Sequence, residues 1–133
     1  MGLDMYLEGR KYLVTDWEND ANNPKEDGFQ VKERILQLGY WRKHPNLHGY
    51  IVQTFAGGKD ECQDIGLSAE NLDTIITAIK GRGLPHTEGF FFGKSDCTDE
   101  EAAADIKILE DAKTWLKAKE DRVWRSVVYR ASW

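Results

Sequence analysis

A chain of 133 residues, 41% apolar and 31% charged, has the makeup of a single globular domain with one core. Its formal net charge of −5 excludes a nucleic-acid binder that relies on a broad basic face, though not a small pocket of local positive charge. No apolar run reaches membrane-spanning length, and no basic segment followed by an apolar one opens the chain, so no membrane association and a cytoplasmic location are expected.

In chain order, residues 3–14 read as a strand, because Leu3, Met5 and Leu7 alternate with Asp4, Tyr6 and Glu8. Gly2 invites a myristoylation reading, which fails because Tyr6 stands where Ser or Thr is needed. Residues 16–28, rich in Asp, Asn, Pro and Gly, read as a surface loop. Residues 29–38 favour a strand, although Ile35, Leu36 and Leu38 do not keep its period. Pro45 suits the first turn of a helix whose Leu47, Ile51 and Phe55 share a face and which Gly57-Gly58 ends.

A short strand follows over residues 61–67. Ser68 then caps a helix with Leu72, Ile75, Ile76 and Ile79 on one stripe, stopped by Gly81 and Gly83. Residues 89–93, Gly-Phe-Phe-Phe-Gly, read as a short strand. Thr98-Asp-Glu-Glu101 is a capping box opening a long helix with Ala102, Ile106, Leu109, Ala112 and Leu116 as its apolar stripe. Its acidic first turn and basic last turns suit the helix dipole. Residues 123–133 alternate as a final strand, which can complete a sheet within the chain or across a homodimer. The expectation is a single α+β domain over residues 1–133, with a mixed or mainly antiparallel sheet and about three helices packed on one side.

Few segments carry recognisable chemistry. Gly89 to Ser95 imitates a phosphate-binding loop, but the loop is one residue short and three Phe replace the small residues that let backbone approach phosphate. The histidines His44, His48 and His86 suggest a metal, yet Pro45 and Asn46 follow His44 where a His-Glu-x-x-His site needs its acid, so no metal and no cofactor is expected. The pairs Glu100-Glu101 and Glu110-Asp111 read as solvated helix face, and Cys62 and Cys97 as reduced, buried thiols. No spacing supports a hydrolytic triad.

The densest recognition chemistry lies at Tyr40, Trp41, Arg42 and Lys43: two rings and two cations suit a flat anionic ligand. Alone, the stretch reads equally as a packed junction between strand and helix. His48 in the following helix and His86 and Thr87 in a second polar loop would add hydrogen bonds if the two segments converge. Asp4 is either the exposed half of an amphipathic strand or a carboxylate that positions Arg42.

Taken together, Met1-Gly-Leu-Asp-Met-Tyr-Leu7, Gly39-Tyr-Trp-Arg-Lys43, Asn46-x-His48, Thr87-x-Gly-Phe-Phe-Phe-Gly93 and Ser132-Trp133 resemble a family of small, uncharacterised proteins encoded by phages and prophages. His44-Pro45 and Ala131 depart from its usual pattern. Some members bear the name phosphoglycerate kinase, but this chain has neither the size of that two-domain enzyme nor a nucleotide loop. The resemblance implies a phage protein acting in the host cytoplasm, where sequestering a nucleotide-derived signal would counter host defence. The expected function is non-enzymatic binding of a small anionic ligand. The alternatives are a small enzyme on a phosphorylated metabolite, with His48 or His86 as acid or base, and an inhibitor that docks on a host protein.

Overall fold

A computed structural model describes residues 2–85, 87 and 98–133. The elements are β1 (Asp4–Leu13), β2 (Lys25–Glu26), β3 (Phe29–Gln30), β4 (Glu33–Arg42), α1 (Pro45–Phe55), β5 (Ile65–Leu67), α2 (Ala69–Lys80), α3 (Asp99–Lys117) and β6 (Val123–Ser132). They form an α+β domain whose four-stranded sheet runs β4-β1-β6-β5, every pair antiparallel, beside the small β2-β3 hairpin. The final strand lies inside the sheet, between β1 and β5, and so completes it within the chain. The strand expected at 89–93, the phosphate-loop imitation and Cys97 lie outside the described residues.

The pleat decides the layers. Successive side chains of a strand point to opposite faces, so Met5 and Leu7 of β1 join Trp41 of β4 and Val127, Tyr129 and Ala131 of β6 on one side. The helices cover that side. Leu47 and Ile51 of α1, Leu72, Ile75, Ile76 and Ile79 of α2 and Leu109 and Ala112 of α3 complete one buried cluster. Close approach of α3 requires Gly9: a Cβ there would stand 2.7 Å from the Trp115 ring. Ser68 caps α2 as expected, its hydroxyl accepting from the Asn71 amide while the Asn71 side chain returns a bond to the Ser68 amide.

Three boundaries differ from expectation. The second long strand is Glu33–Arg42 rather than 29–38, and residues 25–30 form their own hairpin. The pairing of β1 with β4 slips between Leu7 and Glu8, where Leu7 faces Gly39 and Glu8 faces Gln37. Leu38 is thus an inserted bulge residue, and an insertion breaks the period of two. The strand expected over 61–67 shortens to Ile65–Leu67, because residues 57–64 form a tight loop in which Gly57, Gly58 and Cys62 take positive φ. Cys62 is therefore exposed rather than buried.

Between β1 and β2 the loop is ordered by Asp16, which is only 6% exposed. Its carboxylate accepts from the Glu18 and Asn19 amides at 3.0 and 3.1 Å and from the Asn22 side chain at 2.8 Å, and pairs with Arg122 at 3.0 Å. The Asn22 bond above all, with the amides and Arg122, holds this carboxyl below its ordinary range.

Candidate functional site

The run from Tyr40 to His44 is contiguous in sequence and divided in space. Tyr40 and Arg42, two apart, project from the face of the sheet that the helices leave uncovered, while Trp41 between them points into the core. Lys43 turns the chain with φ of 56°, its amide donating to the Leu3 carbonyl at 2.8 Å, and its side chain is exposed.

On the uncovered face the register aligns two cross-strand rows. Ser132, Asp4 and Arg42 face one another across β6, β1 and β4, and Arg130, Tyr6 and Tyr40 form the next row. The Tyr6 and Tyr40 rings are 5.3 Å apart and tilted by 52°, and the Arg130 guanidinium lies 5.4 Å from the Tyr6 ring centre. The Tyr40 hydroxyl donates to the Asp4 carboxylate at 2.5 Å, and Arg42 Nε stands 3.9 Å from the same carboxylate. Asp4 thus sits on the exposed half of an amphipathic strand rather than pointing inward, with Tyr40 hydrogen-bonded to it and Arg42 nearby. That hydrogen bond, with some desolvation and the Asp4 charge, pushes the Tyr40 phenol above its ordinary range.

Glu8 fills the matching role one row along, reaching Arg10 at 3.1 Å and Arg130 at 3.5 Å. Asp4 and Glu8 offset part of the positive charge and hold the guanidiniums in place. Among the described residues no hydrogen bond engages the terminal nitrogens of Arg42, whose side chain is 59% exposed. With strands about 4.8 Å apart and rows about 6.8 Å apart, the patch measures roughly 10 by 7 Å, the size of one planar ring system with an anionic substituent.

The other residues expected at the site lie on the helix side. Trp41 is 8% exposed and its indole N–H donates to Asp105 Oδ1 at 2.7 Å, so its ring is part of the core and not a platform for a solvent-borne ligand. His48 is 1% exposed, with Nε2 2.9 Å from Asp60 Oδ2 and Nδ1 2.6 Å from the Tyr129 hydroxyl. A neutral imidazole that donates from Nε2 to Asp60 accepts at Nδ1 from the Tyr129 hydroxyl. The Trp133 ring meets His48 edge-on at 5.8 Å. Burial first, and then the charge of Asp60, pushes the Tyr129 phenol well above its ordinary range.

Thr87 docks on α1: its amide donates to Asn46 Oδ1 at 3.0 Å, and it packs so closely on Gly49 that any Cβ there would collide with it. Thr87 itself therefore meets the segment after Lys43, but on the side of the sheet away from Tyr40 and Arg42. His86 lies outside the described residues. The expected set thus separates into Asp4, Tyr40 and Arg42 on the open face, Trp41, His48 and Thr87 on the helix side, and Lys43 at the turn between them.

Tyr6 and Arg130 are absent from the sequence-based set. Both were within reach of it, since Tyr6 has the parity of Asp4 along β1, and Arg130 that of Trp124 along β6. Glu101, expected on a solvated face, has a side chain only 19% exposed and lies 3.4 Å from His44 Nε2. Compared with protein-family models, curated proteins and solved structures, the chain matches none.

Proposed function

We propose that this protein binds a small, planar, anionic ligand, nucleotide-like in chemistry, on the open face of its sheet. The observation that carries the reading is the aligned pair of rows in which the tyrosines Tyr6 and Tyr40 lie between Arg130 and Arg42. The rings offer a stacking surface and the guanidiniums meet phosphate or carboxylate. Asp4 and Glu8 fix the cations before the ligand arrives, which lowers the ordering cost of binding. The patch is one ring system wide, which favours a small molecule over a polymer and agrees with the negative net charge. Binding without turnover is the simpler reading, since among the described residues no histidine lies on the patch to activate the Ser132 hydroxyl in the row beside the tyrosines. In the phage setting implied by the sequence resemblance, such a protein would sequester a nucleotide-derived host signal.

A screen of nucleoside monophosphates, cyclic nucleotides and sugar phosphates by native mass spectrometry and thermal shift tests this. A one-to-one complex with nucleotides that Tyr40→Ala and Arg42→Ala both weaken supports the reading. No complex and no shift with any anion, or binding unchanged in both variants, overturns it. Phosphorus NMR of the same mixtures separates stoichiometric binding from turnover.

A second reading rests on β4, an edge strand of ten residues on which Ile35 and Leu36 are 57% and 40% exposed. Such an edge is a template for pairing with another strand, from a host protein or from a second copy as a homodimer. Light scattering of the purified chain distinguishes the homodimer.

A further inference from the structure

On the helix side, α3 carries two acids one turn apart, Glu101 and Asp105, and both face His44 at the turn before α1. His44 and Asp105 are each 3% exposed. His44 Nε2 lies 2.7 Å from Asp105 Oδ2 and 3.4 Å from Glu101 Oε1, and one donor atom from each residue falls within 4.8 Å of the others. An imidazole and two carboxylates brought together in a poorly solvated place form a compact set of nitrogen and oxygen donors.

We infer that His44, Glu101 and Asp105 form a binding site for one divalent first-row transition ion of the Zn2+ or Mn2+ kind. An ion about 2.1 Å from each donor sets neighbouring donors roughly 3–3.5 Å apart; His44 Nε2 lies 2.7 and 3.4 Å from the two carboxylates and all three donors fall within 4.8 Å, so side-chain adjustments close the set around an ion. One imidazole with two carboxylates and no thiolate suits these ions rather than a soft one. The oxygen of Asp105 not used for His44 accepts the Trp41 indole N–H at 2.7 Å, the kind of outer bond that orients a ligating carboxylate.

Beside the three donors lies a cavity of about 140 Å³, with Asn46 and Thr98 on its wall, which leaves room for water to complete the coordination. His44 would ligate through its Nε2 lone pair, so an ion competes with the present contact between Nε2 and Asp105. This site stands apart from the open-face patch and does not depend on it.

The test titrates Zn2+ and Mn2+ separately into chelator-stripped full-length protein by calorimetry, with elemental analysis for stoichiometry. One equivalent bound, a raised melting temperature, and affinity at least about tenfold weaker in Glu101→Gln support the site. Glu101 is half-buried, so this variant should keep the fold where His44→Ala or Asp105→Ala could lose it. Trp41→Phe should weaken the ion roughly 10- to 100-fold through the outer bond. Less than one equivalent bound, or equal affinity in wild type and Glu101→Gln, overturns the inference.

Discussion

Replacing Trp41 by Phe separates a structural role from a binding role most sharply. The substitution removes the donor to Asp105 Oδ1, a bond of 2.7 Å to a carboxylate that is 3% exposed and unable to recover it from water. A hydrogen bond to a charged group contributes about 1.5–3 kcal/mol. The smaller ring also withdraws apolar surface from a site only 8% exposed, roughly 1–2 kcal/mol for the atoms lost. The expected cost is therefore about 2.5–5 kcal/mol, a large share of a typical domain's stability. For a chain of this size that corresponds to a melting temperature lower by roughly 8–20 °C.

Urea unfolding followed by two probes gives the free energy, and an unchanged denaturant slope shows that both states remain comparable. Tyr40→Phe, one residue away on the exposed face, should shift the melting temperature by less than about 2 °C. If Trp41→Phe melts within about 2 °C of wild type, the assignment of Trp41 to the core network is wrong.

Other expectations follow from the same geometry. Tyr40→Ala and Tyr6→Ala should weaken a bound nucleotide roughly 5- to 150-fold by calorimetry, the range for loss of one stacked ring, with the fold intact by circular dichroism. Gly9→Ala places a methyl 2.7 Å from the Trp115 ring and should cost about 1–3 kcal/mol in urea unfolding, even though alanine normally suits a strand better than glycine. Tyr129→Phe removes the buried hydrogen bond between the Tyr129 hydroxyl and His48 Nδ1 and should cost about 1–3 kcal/mol by the same measure. In wild type the Tyr129 phenolate should appear in ultraviolet titration only as the alkaline chain unfolds.

The pH dependence at Asp16 has a fixed sign. Its carboxyl lies lower in the folded chain than in the unfolded one, so its contribution is present above the unfolded value near 4 and disappears as pH falls through the folded value. Asp16→Asn should flatten the acid limb of the stability curve, and an unchanged limb would remove Asp16 as its source.

Long, regular patterns were legible in the residues. The alternation of Leu3, Met5 and Leu7, the stripe of Leu72, Ile75, Ile76 and Ile79 with Ser68 before it, and the packing of helices on one side of the sheet all reappear in the fold. What failed did so for identifiable reasons. Leu38 is inserted opposite the Leu7–Glu8 step, and one inserted residue destroys the period by which β4 would be recognised.

The run Tyr40 to His44 reads as one cluster along the chain, but a strand sends neighbours to opposite faces. Tyr40 and Arg42 meet Tyr6 and Arg130, whereas Trp41 meets Asp105, far along the chain. Asp105 falls on the apolar stripe of α3, three residues after Ala102 and four before Leu109, but an acid on such a stripe does not name its partners. Only the crossing of α3 over β4 gives it Trp41 and His44 as partners.

The central claim is that ligand recognition belongs to the open face of the sheet. An amide chemical-shift titration of isotopically labelled protein with a series of nucleoside monophosphates and cyclic nucleotides addresses it residue by residue. The account predicts saturable shifts concentrated at Asp4, Tyr6, Tyr40, Arg42 and Arg130, with little change at Asn46 or Thr87. Shifts centred on Asn46, Thr87 and Thr98 instead, or none with any member of the series, would contradict it.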